Sequence, residues 1–515
     1  MIEFMRKYGS VATSVLSGFD RVVFRGFIRS LVYPDGMKRH LSHRDVPRRE
    51  FGTYVTHVTA ALKAASLSDA ERLGRPVIYL PSSQTRKEAV AKQVLRESPI
   101  DSGLICVLTC VEPCMAYDMY KNKREKKLQL VYRLRKCLHL YHYFIDPDFG
   151  FMHARIQTYF PFHVQICING REYLARRLHE EGKRYTRYEN SFVRLQDPER
   201  AQQLLSQLVC HDWVTTLDTL AARINPAHSK LLGPQARYYW TAHQTEWATD
   251  IAFASPKELA RIYPQLVWGA ITSLSTRDVM RFLGKQFQMH FAGDVDSRYQ
   301  ERPEGLSIKH SVNRNTIKMY DKGGSILRVE TTINNPRDIV VYRPKHKDQP
   351  KHAGRHPLRK GVCDIERRTQ VSQRANERYL DALAQFDTND TLAQLIAPIT
   401  KPIVTKGRRY RGLRPWQGQD LNLLEAIHQP QFLIAGLRNK DIASQLYSNP
   451  SNDTQKARAN AAKVSYRLRI LRAHGLIAQI PRTRRYRITR KGQQLCNVIL
   501  LAQHATVQQL NPKAA

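Results

Sequence analysis

The sequence IKHSVNRNTIKMYDKGGSILRVETTIN, residues 308–334, alternates apolar and polar side chains on both sides of Gly323 and Gly324. Such alternation is typical of a half-buried β-strand, and a glycine pair between two such segments favours a tight turn. The stretch therefore predicts a β-hairpin. Because side chains two residues apart share a face of a strand, the polar faces would carry Lys318, Tyr320 and Lys322 on the first strand, and Arg328, Glu330 and Thr332 on the second.

The polar residues of this hairpin are of the types that phosphodiester chemistry uses. A tyrosine hydroxyl can attack phosphorus, a lysine or arginine can stabilise the charge of the transition state, and a carboxylate can hold a divalent cation. The candidate catalytic residues are Tyr320, Asp321, Lys322, Arg328 and Glu330. Two other interpretations stay open: a salt-bridged hairpin that is only structural, and a hairpin that binds phosphate without chemistry.

The charge balance of the chain favours a polyanionic partner. Its 515 residues include 82 Lys and Arg against 45 Asp and Glu, a formal net charge of +37. A folded protein with that excess repels itself unless a polyanion accompanies it. Nucleic acid is favoured over a membrane surface, since the sequence shows no long basic amphipathic helix and no lipidation motif. The length predicts roughly three domains.

The sequence predicts a protein of a reducing cytoplasm. The N-terminal residues lack the apolar core of a signal peptide, and no window approaches the roughly 18 consecutive apolar residues of a membrane span. The eight cysteines are scattered and do not suggest a disulfide framework. Cys106, Cys110 and Cys114 are evenly spaced, but a zinc site usually needs a second set of ligands, so buried apolar roles are favoured.

Differences in composition along the chain predict an α+β multidomain fold. The expected regions are a mixed α/β domain over 1–200, a helical segment plus the hairpin over 201–342, a basic linker over 343–418 and a C-terminal domain over 419–515. Within the second region, YYWTAHQTEWATDIAF, residues 238–253, is expected to form a helix. That helix would place Glu246 and Asp250 on one face, because side chains four apart are neighbours on a helix.

The C-terminal region resembles a winged helix-turn-helix domain. Three helices, two short strands and a final helix are predicted in that order over about residues 420–500. The resemblance implies that the third helix enters the DNA major groove and that the basic tip between the strands reaches the flanking backbone. The expected DNA contacts are Lys463, Tyr466, Arg467 and Arg469 in the helix, and Arg482, Arg484 and Arg485 in the wing. A winged helix that binds protein is the alternative.

Basic and aromatic residues also interleave elsewhere, in KRYTRYENSF at 183–192 and KGRRYRGLRPW at 406–416. Alternating charge and stacking rings are typical of tracks for single-stranded nucleic acid. The further expected contacts with nucleic acid are Lys309, His310, Lys318, Arg408 and Arg409. These patterns do not distinguish RNA from DNA.

The segment KMYDKGGSILRVE, residues 318–330, resembles the Tyr-Asp-Lys and Arg-x-Glu segment of rolling-circle replication initiators of the filamentous-phage gene II type. In such families the segment lies in the nuclease domain, so the resemblance implies metal-dependent nicking. The sequence departs from the family at the His-hydrophobic-His metal motif, of which FHVQI retains only His163. The whole chain also resembles an uncharacterised bacterial family of mobile-element type that carries the N-terminal sequence SGFDRVVFRG, here residues 17–26.

A second candidate centre consists of carboxylates that are far apart in the sequence. A nuclease of the RNase-H type would place its first carboxylate at Asp20, a second at Glu112 and a third at Asp250 with Glu246. Such carboxylates can hold a metal pair about 4 Å apart. We expect Mg²⁺ or Mn²⁺, with Glu330 and Asp250 as ligands. The alternative for Asp20 is an ion pair with an adjacent arginine of its own strand.

These observations lead to three hypotheses. The first is a mobile-element DNA-processing protein, a nicking endonuclease, replication initiator or transposase-like enzyme, targeted by the C-terminal winged helix. The second is a non-enzymatic DNA-binding regulator, and the third an RNA-dependent nuclease or RNA-binding effector. The first and third are favoured, because a regulator rarely needs so long a chain at so high a positive charge.

Overall fold

The computed structural model of the protein describes most of the chain. The described residues are 1–122, 124, 127–233, 236–272, 274, 276–283, 295–302, 305–344, 353–384, 392–405, 407–429, 432, 436–447, 454–480 and 483–504. Strands and helices both contribute substantially, which confirms the mixed α and β character that the sequence predicts. Among the described helices, none combines the length and the apolar character that a membrane crossing requires.

The strands are β1 (Ala12–Ile28), β2 (Val77–Leu80), β3 (Gly103–Asn122), β4 (Lys127–Asp146), β5 (Gly150–Gln157), β6 (Val164–Asn169), β7 (Tyr185–Tyr188), β8 (Ser191–Leu195), β9 (Tyr238–Phe253), β10 (Val295–Arg302), β11 (Gly305–Val312), β12 (Asn315–Lys322), β13 (Ile326–Ile333), β14 (Val340–Pro344), β15 (Ala353–Pro357), β16 (Ile403–Thr405), β17 (Arg408–Tyr410), β18 (Ile477–Gln479) and β19 (Tyr486–Ile488). Eleven of them form one sheet, in the order β10-β11-β12-β13-β9-β1-β6-β5-β4-β3-β2. Its neighbours pair antiparallel except β2 and β3, which are parallel.

The helices are α1 (Ile2–Tyr8), α2 (Arg29–Val32), α3 (Pro34–Ser42), α4 (Phe51–Arg72), α5 (Lys87–Glu97), α6 (Gly170–Glu180), α7 (Pro198–Val209), α8 (Trp213–Ile224), α9 (His228–Leu232), α10 (Pro256–Thr272), α11 (Thr276–Phe282), α12 (Ile365–Ala384), α13 (Leu392–Thr400), α14 (Gly418–Ile427), α15 (Asn439–Leu446), α16 (Thr454–Ala473) and α17 (Arg490–His504). Side-chain caps begin several of them. For example, the Asn169 carboxamide accepts hydrogen bonds from the first backbone N–H groups of α6.

Two helical layers cover the sheet. Val22 and Phe24 of β1 and Ile166 of β6 share a buried cluster with Trp213 of α8 and with α4. On the opposite face, α5 packs on β3 and β4, and α6 and α7 pack on the N-terminal part of β1. Between these two packing areas, polar side chains of β1, β6 and β5 point away from the first cluster, because successive residues of a strand alternate between faces.

The hairpin prediction is confirmed. β12 and β13 pair antiparallel, with Tyr320 opposite Arg328 and Lys318 opposite Glu330. Gly323 and Gly324 form the turn with φ values of 66° and 79°, a region that residues other than glycine enter only with strain.

The predicted helix over 238–253 is wrong, because this segment is β9. β9 pairs with β1 on one side and β13 on the other. A strand buried on both faces loses the alternation that identifies a strand in a sequence. Glu246 and Asp250 nevertheless share a face, since an even spacing preserves the face in a strand as well.

The stretch 343–418 is not a linker throughout, because it contains α12. Asn376 of this helix donates hydrogen bonds to the carbonyls of Trp247 and Val329 and to the Thr249 hydroxyl. Tyr379 and Leu380 of the same helix belong to a buried cluster with residues of β9 and β11–β13. This part of the stretch is therefore integral to the sheet domain.

The C-terminal elements have their own core. α14, α15 and α16, the paired strands β18 and β19, and α17 follow in the order that the sequence predicts. Val464, Leu468 and Leu471 of α16 are buried among side chains of α14, α15 and α17.

Candidate functional site

The candidate site lies where β12, β13, β9 and β1 are adjacent in the sheet. Tyr320, Arg328 and Asp250 stand opposite one another across the first three strands. Directly opposed residues of antiparallel strands share a face, so their side chains lie on one side of the sheet. Lys318 and Glu330 form the next row of the same face.

Arg328 is the fully buried centre of the group. Its Nε and Nη2 donate to the two carboxylate oxygens of Asp250 at 2.5 and 2.8 Å, and Nη1 lies 3.4 Å from Asp20. Nη2 also donates to the Asn190 carbonyl and the Ser191 hydroxyl, which lie at the β7–β8 hairpin. Burial alone would lower the pKa of Arg328, but Asp250 and Asp20 outweigh it and hold the pKa well above its usual value.

Asp250, an expected metal ligand, is neutralised by arginine. Its second oxygen also lies 3.1 Å from Nη2 of Arg171, which is fully buried in α6. Burial would raise the pKa of Asp250, but Arg328 and Arg171 hold it below the usual value. A divalent cation at Asp250 would therefore have to displace a buried guanidinium.

Asp20 is placed by a β-bulge. The pairing of β1 with β9 shifts between Phe19 and Arg21, and an extra residue in a strand redirects its side chain. The Asp20 carboxylate accepts a 2.5 Å hydrogen bond from the Asn190 carboxamide and pairs with Arg328. Arg21 pairs with Glu246 at 2.6 Å instead, so the expected alternative, an ion pair of Asp20 within its own strand, is not what forms.

Tyr320 and Glu330 form the reactive pair of the site. The Tyr320 hydroxyl donates to a Glu330 carboxylate oxygen at 3.3 Å, and the Lys318 ammonium lies 3.9 Å from the centre of the Tyr320 ring. Burial, with repulsion from Asp20 and Glu246, raises the pKa of Glu330 to about 7. Burial also raises the pKa of Tyr320, so its hydroxyl stays protonated. A carboxyl that titrates near neutral pH can accept that proton.

Asp321 and Lys322 lie at the end of the hairpin. Asp321 accepts a hydrogen bond from the Gly324 backbone N–H at 3.0 Å, which stabilises the turn. The Lys322 ammonium pairs with Glu189 at 3.0 Å and donates to the Asn190 side chain. Lys322 thus holds the β7–β8 hairpin against the turn, and Asp321 stabilises the turn itself.

Glu112 does not join Asp20, which overturns the predicted set of Asp20, Glu112 and Asp250. β3 is four strand spacings from β1, about 19 Å at 4.8 Å per spacing. Glu112 accepts from Tyr141 at 2.7 Å and pairs with Lys87 and Arg155 at 2.9 and 3.2 Å. Over the described part of the chain, no three or more His, Cys, Asp or Glu side chains are arranged to hold a metal ion.

The predicted nucleic-acid contacts in the sheet are only partly exposed. Lys309 is exposed on β11 directly opposite Lys318. His310 points to the other face, where it contacts Ser297 and Tyr379 at 2.7 and 3.1 Å. Burial lowers the pKa of His310 to about 4, so its predicted role as a surface contact is wrong.

The predicted nucleic-acid contacts in the C-terminal part are likewise only partly exposed. The exposed ones are Arg408 and Arg409 of β17, Lys463, Tyr466 and Arg469 of α16, and Arg484 beside β19. Arg467 is buried against Gln419, which corrects its assignment to the exposed face of α16. Arg485 is half-buried, and Arg482 lies outside the described residues.

Sequence reasoning missed Arg171, Asn190 and Ser191. No local pattern indicates that Arg171 is buried against Asp250. Asn190 and Ser191 fall within the basic-aromatic stretch over 183–192, where the sequence suggested surface contacts rather than support for an arginine.

Comparison with known proteins returned no relatives. No family model matches the chain, and neither a curated protein nor a solved structure matches it significantly. Function is therefore inferred from the side chains of this chain.

Proposed function

We propose that the protein binds nucleic acid and acts on its phosphodiester backbone at the Tyr320–Glu330 pair. The observation that carries the proposal is the 3.3 Å contact between the Tyr320 hydroxyl and a carboxyl whose pKa is raised to about 7. A nucleophile next to a base of suitable pKa is the basic requirement of covalent catalysis. The net charge of +37 supplies the attraction for a polyanionic substrate.

The reaction would proceed by transfer of a phosphoryl group to tyrosine. The Tyr320 oxygen attacks phosphorus while its proton passes to Glu330. The phosphorus–oxygen bond to the departing nucleoside breaks, and that oxygen takes a proton from solvent. Lys318, whose ammonium lies over the Tyr320 ring, stabilises the negative charge that develops on the phosphoryl oxygens. Arg328 stays paired with Asp250 and keeps β13 in position.

The mechanism contains no metal step. Asp250 is already neutralised by two guanidinium groups, so of the two expected metal ligands only Glu330 is left to serve this chemistry. Dependence of cleavage on Mg²⁺ or Mn²⁺ is measured directly by including either ion or a chelator in the assay.

We propose further that the C-terminal elements form a winged helix that selects the DNA site. α16 is the third helix of the series and exposes Lys463, Tyr466 and Arg469, while β18 and β19 form a short two-stranded unit with Arg484 exposed next to it. A helix of this kind fits the major groove. Together with the Tyr320 centre, it supports a mobile-element role: a nicking endonuclease, replication initiator or transposase-like enzyme.

The test is a cleavage assay with end-labelled single- and double-stranded DNA. The purified, nuclease-treated protein is compared with Tyr320→Phe and Glu330→Gln. The proposal expects label that stays with the wild-type protein after denaturation, no such label with Tyr320→Phe, and at least a hundredfold slower labelling with Glu330→Gln. Cutting that is unchanged in both variants would refute the role of the pair.

A second candidate is phosphate binding without chemistry, and the partial burial of Tyr320 favours it. On this interpretation the protein is a DNA-binding regulator or an RNA-binding effector. It is distinguished by salt-sensitive binding of DNA or RNA with no covalent product and no cut ends.

A further inference from the structure

A second basic cluster lies on the sheet beside the Tyr320 site. Arg25 of β1, Gln165 of β6 and Arg155 of β5 stand directly opposite one another. Their side chains share one face, opposite the face on which Phe24 and Ile166 pack with α8. That face also carries Arg21, because Arg21 and Arg25 are four residues apart on the same strand.

The contacts of the cluster leave positive charge without a counterpart. Arg25 and Arg155 both donate to the Gln165 carboxamide oxygen, at 3.4 and 3.3 Å. Arg155 has Glu112 as its ion partner, whereas Arg25 forms no ion pair with any described carboxylate. Burial and then repulsion from Arg155 lower the pKa of Arg25. Two guanidinium groups beside one neutral carboxamide are an arrangement that an anion would stabilise.

Cations of this cluster also act on His243 of β9. It lies where the register of β9 against β1 shifts, between the partners of Val23 and Phe24. Burial and then Arg25, Lys360, Arg155 and Arg368 lower the pKa of His243 to about 4. These four cations all disfavour a further positive charge on His243.

Two of these cations lie close to the start of α12, Lys360 before the helix and Arg368 within it. Gly361 bridges to Thr241 of β9, and the Lys360 carbonyl accepts from the Ala242 backbone N–H at 3.0 Å. This pairing places Lys360, whose side chain is exposed, at the edge of β9. Arg368 is fully buried, and its Nε and Nη1 have no hydrogen-bond partner within the described structure. Burial lowers the pKa of Arg368 to about 10, against the attraction of the buried Asp364.

We propose that Arg25 and Arg155 form a phosphate-binding point for a single strand of nucleic acid that runs along the sheet to the Tyr320–Glu330 pair. This inference rests on the proposed function and deepens it by naming the substrate as single-stranded. Along β9, the row of Glu330 is at Ala248 and the row of Arg25 is at Thr241, a separation of roughly 24 Å at 3.4 Å per residue. Arg21 lies between the two positions.

A single strand fits this path better than a duplex. Tyr320 is half-buried, and the β7–β8 hairpin closes the end of the site through Lys322. An extended strand can enter such a recess, whereas a duplex would have to unpair or flip a nucleotide out of the stack. Basic tracks across open protein surfaces are the usual way in which single strands are held.

The test is fluorescence anisotropy with labelled single-stranded DNA, single-stranded RNA and duplex DNA of equal length. Arg25→Glu is compared with Arg49→Glu, which makes the same charge change at a side chain that is 82% exposed just before α4. Loss of one charge-assisted phosphate contact predicts about a tenfold or greater increase in the Kd of the single strands for Arg25→Glu. Arg49→Glu should change the Kd less than twofold.

Three results would overturn the inference. They are an equal loss of single-strand affinity in Arg49→Glu, unchanged single-strand affinity in Arg25→Glu, and a loss of duplex affinity in Arg25→Glu as large as the loss for the single strands. Arg25→Gln serves if the glutamate variant does not fold, and should weaken binding about three- to tenfold. If no covalent product ever forms while Arg25→Glu still loses binding, the proposed chemistry fails and the binding point stands.

Discussion

The guanidinium of Arg328 connects β13 to Asp250 of β9, Asp20 of β1 and the backbone at Asn190. Removing such a buried cation leaves two carboxylates without their partner. The usual cost of breaking a buried pair on one side is about 3–5 kcal/mol. Arg328 is therefore required for folding before it is required for any chemistry.

We predict that Arg328→Ala lowers the free energy of unfolding by about 3–5 kcal/mol. Urea denaturation followed by circular dichroism measures it, with Arg49→Ala as the control because an exposed surface arginine contributes less than about 1 kcal/mol. A change below about 1 kcal/mol for Arg328→Ala would show that the buried network is not stabilising.

Glu330 predicts a pH dependence whose direction follows from its raised pKa. The folded-state pKa of about 7 exceeds the ordinary value of 4.5. The folded state therefore holds a proton that the unfolded state has lost between these values, and stability falls as pH rises through that window, by up to about 1.4 kcal/mol per pH unit. Above pH 7 the contribution of Glu330 to the free energy of unfolding no longer changes with pH.

In Glu330→Gln this contribution is absent. The variant should gain stability relative to the wild type as pH rises from 4.5 to 7, and the difference should level off above that. Urea denaturation of both proteins at several pH values measures it. A difference that does not change with pH would mean that Glu330 titrates normally. The rate of covalent labelling should rise over the same range in the wild type, because the ionised carboxylate is the base.

The hairpin turn determines where Tyr320 and Arg328 meet. Gly323 and Gly324 both have positive φ, but only at Gly323 would an added Cβ meet a ring, that of Tyr188 at 2.8 Å. A Cβ added at Gly324 would have its nearest neighbour, in Pro256, at 3.8 Å. The turn therefore tolerates a side chain at Gly324 better than at Gly323.

We predict that Gly323→Ala costs more stability than Gly324→Ala. Both variants pay roughly 1–2 kcal/mol for the left-handed backbone, and the first must also displace the Tyr188 ring of the β7–β8 hairpin. Thermal unfolding of the two variants makes the comparison, with each variant serving as the control for the other. Equal losses would mean that the β7–β8 hairpin moves freely away from the turn.

At the level of elements, local patterns predicted the hairpin and the order of the C-terminal elements. β12 and β13 alternate because each carries polar residues among apolar ones. β9 lost that signal because most of it is buried, and α12 was obscured by the basic residues that precede it. The pairing of Arg328 with Asp250 joins residues 78 positions apart, and no local pattern contains such a contact.

For the whole molecule, the charge of +37 predicts binding that depends strongly on salt. Each phosphate neutralised on a single strand contributes about −0.7 to the slope of log K against log salt concentration. We expect a wild-type slope steeper than about −2, corresponding to at least three phosphates. Arg25→Glu should make it shallower by about 0.7, and Arg49→Glu should leave it unchanged, as titrations at several salt concentrations would show. A flat slope would rule out a polyanion track.

The most direct test of the central claim is to locate the covalent product. Wild-type protein is incubated with single-stranded DNA, denatured, digested with nuclease and protease, and examined by tandem mass spectrometry. We predict a nucleotide attached to Tyr320 through phosphate and no such peptide from Tyr320→Phe. A nucleotide on a different residue, or cut DNA with unmodified Tyr320, would contradict it.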